Sequence, residues 1–369
     1  LKEAARTLDP ELRAAIEESI RRVRQASGAS LRDDQVTALD DGATVTLRFR
    51  PVDRAGVYVP GGKAVYPSSV VMNVVAAQVA GVGSIALVSP PQQPDGHVHP
   101  TIAATAHLLG VDEVYALGGA GAIAALAYGV GDLGLDKVSV ITGPGNRYVA
   151  TAKRLVRGVV GIDSEAGPTE IVIIADATAP APWMAADLVS QAEHDELASA
   201  VLITTDREYA DQVAVEVTNQ VALTGNRERV EASLTGAQSA IYVVASLDDA
   251  ITLSDFLAPE HLEIVTENPE AIAERIRHAG ALFLGPHTPV SAGDYLAGSN
   301  HVLPTGRSAK YQSGLSPLTF MRSQQVVTYS ADALARVAPL IVTFARAEHL
   351  PAHADAVSVR IGDTVPGGQ

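Results

Sequence analysis

Three groups of residues have types and spacings that could do chemistry. Residues 187–195 read Asp-Leu-Val-Ser-Gln-Ala-Glu-His-Asp, with Leu188 and Val189 giving an apolar face and no glycine or proline to interrupt it. This predicts the end of an amphipathic helix, on which Gln191 and His194, three apart, project from one face. A neutral imidazole nitrogen is a good zinc ligand, and an amide oxygen a weaker, harder one. A solvated polar helix face explains the stretch equally simply. Pro259-Glu260-His261 falls at a helix-to-strand junction, where two adjacent side chains can enter one cleft. Such a pair suits base and proton-shuttle work at neutral pH, although alone it also reads as an exposed charged turn. Asp294 and His301 lie in a glycine-rich stretch, and Glu348, His349 and His353 flank Leu350-Pro351. If Gln191, His194, Asp294 and one C-terminal histidine converged, they would form an N/O metal site with a position open to substrate. His97, His99, His107, His278 and His287 read as surface or core.

Two glycine-bearing turns could take an anion. Gly-Pro-Gly-Asn at 143–146 sits between a strand and a helix, offering backbone N–H groups and a helix N-terminus to a pyrophosphate. A tight turn with Asn146 as helix cap serves as well. Residues 119–124, Gly-Ala-Gly-Ala-Ile-Ala, match G-x-G-x-x-G/A formally. No acidic residue closes the next strand (138–141) to read a ribose, so the match carries little weight.

The elements that must position these residues form two βα series. In the first, strands at 55–59, 84–88, 113–117 and 138–141 alternate with helices at 67–79, 100–109, 120–128 and 147–157. In the second, strands at 170–175, 200–204, 240–244, 261–265 and 281–284 alternate with helices at 180–194, 206–223 and 247–256, and one running from 269 to Gly280. Apolar strands alternating with helices mean a parallel sheet covered on both faces, so two doubly wound domains are expected. A half-exposed strand at 44–50 and a helix capped by Asp9-Pro10 precede them. Residues 286–317 read as a long loop of the kind that carries function. A helix over 331–348 should break or kink at Pro339, and residues from 363 on read as a frayed tail.

The 369 residues, 47% hydrophobic, suffice for more than one core, but aromatics are only 4%. A net charge of −15 argues against nucleic-acid and anionic-membrane partners. No apolar run reaches the roughly 18 residues of a spanning helix. With no cysteine, disulfides and thiolate chemistry are excluded, which fits the cytoplasm, and any metal is held by N and O atoms. The chain starts with Leu, which predicts that a segment precedes it.

Taken together, the motifs Tyr-Val-Pro-Gly-Gly (58–62), Gly-Pro-Gly-Asn (143–146), Gly-Pro-Thr-Glu (167–170), Ser-Gln-Ala-Glu-His-Asp (190–195), Ala-Pro-Glu-His-Leu (258–262), Ser-Ala-Gly-Asp-Tyr (291–295), Gly-Ser-Asn-His-Val-Leu-Pro (298–304) and Ala-His-Ala (352–354) occur in order. The chain resembles the histidinol dehydrogenase family from about Arg54 to about Arg360. The resemblance implies oxidation of L-histidinol to L-histidine through histidinaldehyde with two NAD, in a cytoplasmic zinc-dependent homodimer with shared active sites. Zn2+ would be held by Gln191, His194, Asp294 and His353, the last from the partner subunit. Glu260 and His261 would be the acid–base pair. Substrate would touch Thr169, Gln191, His194, His261, Asp294, His301, Glu348 and His353, and NAD would lie near Tyr58, Gly121 and Asn146. Two incomplete Rossmann-like domains are implied, 58–170 for NAD contacts and 1–57 with 171–314 for most metal and acid–base residues. Residues 315–369 would form a helical arm exchanged across the dimer.

The chemistry suits these residues. Without a cysteine to trap the aldehyde, the second hydride must leave a hydrated aldehyde, which needs a base such as Glu260 to activate water. His261 suits the first alcohol proton, and Glu348 the substrate ammonium. Where the family pattern reads Gly-Gly-Ala-Gln, this chain has Gly121, which removes one polar NAD contact worth on the order of 1 kcal/mol. The loop at 92–99 is also longer than the pattern, and the family's N-terminal segment is absent. Three other readings compete. A related dehydrogenase for another polar alcohol, such as a sulfonated diol, is opposed by the charge of Glu348. A zinc hydrolase using Glu260 is opposed by the two βα series. A non-catalytic relic is opposed by retention of every proposed ligand.

Overall fold

The computed structural model describes residues 1–61 and 64–362. Gly62 of the 58–62 motif and the tail from 363 lie outside them. Helix α1 (Lys2–Arg6) and helix α2 (Pro10–Gly28) open the chain, and the Asp9 carboxylate caps α2 by accepting from Glu11 N and Leu12 N. Strands β1 (Gln35–Asp40) and β2 (Ala43–Pro51) follow. The first series then runs β3 (Arg54–Tyr58), α3 (Pro67–Ala80), β4 (Ser84–Ser89), α4 (Pro100–Leu108), β5 (Glu113–Ala116), α5 (Gly119–Tyr128), β6 (Val140–Thr142), α6 (Arg147–Val156) and β7 (Gly161–Ile162). The second runs β8 (Glu170–Ala175), α7 (Ala181–Ala192), β9 (Ser199–Thr204), α8 (Arg207–Val221), α9 (Arg227–Thr235), β10 (Ala240–Val243), α10 (Leu247–Leu257), β11 (His261–Val265), α11 (Pro269–Ala273), β12 (Ala281–Leu284) and α12 (Val290–Tyr295). Strand β13 (Met321–Tyr329), α13 (Ala331–Ala347) and α14 (Pro351–Ser358) close the chain.

Both series form five-stranded parallel sheets, ordered β5-β4-β3-β6-β7 and β10-β9-β8-β11-β12. In each, the strand order reverses beside the first strand, which leaves a crevice at the carboxyl ends. The strands are apolar because both faces are covered. Ile171, Ile173, Val265 and Phe283 pack with α7 residues on one side of the second sheet, and Val172, Ile174, Leu262 and Ile264 with α10 on the other. The doubly wound α/β expectation is what the structure contains.

The chain divides into two compact units, residues 1–31 with 52–320, and 32–51 with 321–369. The first holds both parallel sheets. In the second, β2 pairs antiparallel with β1 and, over Met321–Tyr329, with β13, and α13 and α14 follow. Residues 32–51 thus pair with the C-terminal segment, and β3 joins the first sheet.

Several local expectations are corrected. The helix expected to reach Gly280 stops at Ala273, because Arg277 N and His278 N donate to the Asp255 carboxylate at 2.9 and 3.0 Å instead of continuing helically. The loop over 286–317 contains α12. Gly293 inside it has no room for a side chain, since a Cβ would stand 2.6 Å from the Phe283 ring. Helix α13 runs unbroken through Pro339, an exposed position, so the carbonyl that loses its partner at exposed Ala335 stays in water.

Candidate functional site

The carboxyl end of the first sheet is built from the turn after β6. Gly143 has φ +111°, and a Cβ there would meet the Tyr58 carbonyl oxygen at 2.0 Å, so only glycine lets the turn lie against β3. A buried clamp holds it. Asp163 Oδ2 accepts from Gly143 N at 2.8 Å, and Lys153 Nζ, 1% exposed, donates to Gly143 O at 3.0 Å and to the Asp163 carboxylate. Asn146 caps α6 as expected: its Oδ1 accepts from Tyr148 N and Val149 N, leaving its amide NH2 for a ligand. The Tyr58 hydroxyl accepts from Gly119 N at 3.3 Å, and nothing stands within 4 Å of a Cβ built on Gly121. Tyr58, Gly121 and Asn146 all lie at the carboxyl end of the first sheet, the end at which open α/β sheets bind ligands.

The other candidates gather at the amino ends of the second sheet. Thr169 precedes β8, Glu260 and His261 open β11, and α7 delivers Gln191 in its last turn. His194 falls just beyond α7 rather than inside it, its N–H donating to Gln191 O at 3.3 Å. Asp294 comes from α12, and His301 from the extended stretch after it. Glu348 and His353 belong to the second unit, where both are exposed, Glu348 at the C-terminal cap of α13 and His353 in the first turn of α14.

A hydrogen-bond chain orders this cluster. The Thr169 hydroxyl donates to Glu260 Oε2 at 2.5 Å and accepts from Gln191 Nε2 at 2.6 Å. Because the hydroxyl hydrogen is spent on Glu260, Gln191 must present its NH2 to Thr169, and its amide oxygen is left for a ligand. Glu170, not singled out by sequence, holds both acid–base residues through its peptide. Its N–H donates to Glu260 Oε2 at 3.1 Å, and its carbonyl accepts from His261 Nδ1 at 3.0 Å. A carbonyl only accepts, so the His261 proton sits on Nδ1. Nε2 is then unprotonated, buried and without a hydrogen-bond partner among the described residues. His301 is fixed likewise: Nδ1 donates to Asp294 O at 3.0 Å, and Nε2 lies 3.3 Å from Ser69 Oγ.

Burial sets the charges. It pushes the Glu260 carboxyl up to about 8 against the pull of Thr169 and Glu170 N, and Glu170 to about 7. It draws His261 and His194 below the ordinary imidazole value and His301 down to about 4, so all three rings are neutral at pH 7. Burial also raises Asp294, partly offset by His261 and His194 nearby. Among the described residues, neither the Asp294 carboxylate nor the His194 ring makes a hydrogen bond, and no group of three or more His, Cys, Asp and Glu side chains could hold a metal ion. One chain supplies a carboxylate, a neutral imidazole and an amide oxygen, so a four-ligand site needs one more donor.

A family model described as histidinol dehydrogenase matches residues 1–361. The histidinol dehydrogenase of Leifsonia xyli subsp. xyli is 58% identical over 350 residues, which cover 95% of this chain and 80% of that protein. That of Thermobifida fusca is 55% identical over 362 residues, 98% of this chain and 82% of that protein. Among solved structures, histidinol dehydrogenase from Elizabethkingia anophelis superposes with a TM-score of 0.93 at 35% identity, covering 98% of this chain and 82% of the other. Gamma-glutamyl phosphate reductase from Thermotoga maritima, at a TM-score of 0.50 and 14% identity over 87% of this chain and 84% of its own, is alike in fold alone.

Proposed function

The chain belongs to the histidinol dehydrogenase family, and from that premise we propose that it oxidises L-histidinol to L-histidine by way of histidinaldehyde, using zinc and two NAD in a homodimer with shared active sites. It is an oxidoreductase of histidine biosynthesis. The observation that carries the mechanism is the Gln191–Thr169–Glu260 chain beside His194, Asp294 and an unprotonated His261 Nε2.

The donor set fits zinc. The Asp294 carboxylate and the His194 ring are half-buried and make no hydrogen bond among the described residues, and Thr169 leaves the Gln191 oxygen for a ligand. With His353 of the partner subunit these would complete four N/O ligands, and the ion would orient the substrate through its imidazole and amine nitrogens. NAD would be held near Tyr58, Gly121 and Asn146 and would supply the acceptor for each hydride.

The chain's own groups move the protons. In the first oxidation His261 Nε2 takes the alcohol proton, while Nδ1–H stays on the Glu170 carbonyl and stabilises the ring as it becomes cationic. Glu260 then acts on water. Its deprotonated carboxylate, held by Thr169 and Glu170 N, takes the proton as water adds to the aldehyde. The cationic His261 returns its proton to the carbonyl oxygen, which completes the gem-diol; the second hydride then leaves to NAD as His261 Nε2 again takes a hydroxyl proton, and the cycle ends at the carboxylic acid. Glu348 would receive the substrate ammonium. His301, with both ring nitrogens engaged by the protein, contacts substrate only by giving up its longer bond, to Ser69. No helix among the described residues is long and apolar enough to cross a membrane, and we assign the enzyme to the cytoplasm. Turnover of L-histidinol followed by NADH absorbance, with His261→Asn as control, tests the reading. Undiminished turnover in that variant sinks the assigned base.

A further inference from the structure

A half-buried and a buried carboxyl stand outside this mechanism. Asp187 lies on α7, four residues before Gln191 and therefore on its side of the helix. Glu263, 1% exposed, is two residues after His261 on β11 and so on the same face of the sheet. Its strand neighbours in register are Ile173 and Phe283, both apolar. Glu263 Oε1 accepts from Val290 N, the first residue of α12, at 2.8 Å. Its carboxyl neighbours that of Asp187.

Two carboxylates cannot bond without a proton between them. Apart from that contact no donor reaches the buried Glu263 Oε2. No cation is at hand either: α7, β8, β12 and α12 contain no lysine, arginine or histidine. The titratable groups they carry are Asp187, Glu170, Asp294 and Tyr295. His261 shares β11 with Glu263, Tyr209 packs into this core from α8, and His287 lies against Trp183 of α7. Two negative charges here would be uncompensated, which an apolar interior does not tolerate. Burial accordingly raises Asp187 to about 6 and Glu263 well above the ordinary carboxyl range.

We propose that Asp187 and Glu263 hold one proton between them, and that this acid pair is the positioning device of the site. It ties the helix of Gln191, with His194 just beyond its end, to the strand of His261 and, through the Val290 amide, to the helix of Asp294. The zinc part rests on the function proposed above; the shared proton does not.

Glu263→Gln keeps the tie, because its amide donates to Asp187 and its oxygen accepts from Val290 N. Glu263→Leu removes it. Zinc affinity, measured by competition with a chromogenic chelator on proteins checked for helicity, should stay within about threefold in Glu263→Gln and fall about 10- to 100-fold in Glu263→Leu, the range for groups that orient ligands. Rescue by Gln separates positioning from bulk packing. Wild-type affinity in Glu263→Leu, or an equal fall in Glu263→Gln, overturns the proposal. Infrared difference spectra at pH 7 read the proton in metal-free protein, whatever becomes of the zinc reading or of the Leu variant's folding. The wild type should carry one protonated-carboxyl band more than Glu263→Gln, beside those that Glu260 and Glu170 leave in both, and identical spectra would refute the shared proton. A wild type that binds no zinc but shows the band would instead count against the function proposed above.

Discussion

Thr169 donates its hydroxyl hydrogen to Glu260 Oε2 at 2.5 Å. The bond sets the carboxylate's position and opposes the effect of burial on its proton affinity. Thr169→Val, nearly isosteric, should lower kcat about 10- to 100-fold, the value of one hydrogen bond to a charged group. The acid limb of the kcat profile should move to higher pH. Thr169→Ser should restore both. An unchanged profile in Thr169→Val would remove the hydroxyl from the account.

Glu260 also links stability to pH. Its folded carboxyl, at about 8, lies above the ordinary 4.5. Between those values the folded state holds a proton that the unfolded chain does not. The contribution is therefore complete below 4.5 and declines as pH rises toward 8, by up to about 1.4 kcal/mol per pH unit. Glu260→Gln removes that dependence. In metal-free protein its Tm should gain on the wild type between pH 5.5 and pH 8, and a difference in Tm independent of pH would contradict the burial argument.

Gly121→Gln should restore a polar NAD contact at little steric cost, since the space beyond its Cα is open. One hydrogen bond worth about 1 kcal/mol lowers Kd for NAD about fivefold. Titration of cofactor binding, with kcat unchanged, checks this; weaker binding would place NAD elsewhere.

If His353 serves the partner's site, Glu260→Gln and His353→Ala are complementary lesions. Each homodimer should be nearly inactive, while a random mixture of protomers should recover about a quarter of wild-type activity, from one intact site in each mixed dimer. No recovery would keep His353 within its own chain.

The sequence was most legible where period and punctuation agree. The strands of both sheets are short apolar runs between caps such as Asn146, and their alternation with helices sufficed for the architecture. Strand β1, fully exposed, and β13, with polar Arg322, Ser323, Gln324 and Gln325, carried little apolar signal, and the pairing of β13 with β2 is a long-range relation. The motif residues Thr169, Gln191, Glu260 and His261 could be named from sequence, but not the bonds by which the Thr169 hydroxyl joins Gln191 to Glu260. Glu170 was hidden because it acts through its peptide, which no side-chain type announces. Glu263 went unnamed, although an acidic residue at an inward position of a buried parallel strand is a signal in itself.

The most direct test of the central claim is the count of NADH formed per L-histidinol consumed, before and after zinc is removed by a chelator and returned. The account predicts two, lost on chelation and restored by zinc. One NADH with histidinaldehyde released, or none from protein that still binds zinc and NAD, would contradict it.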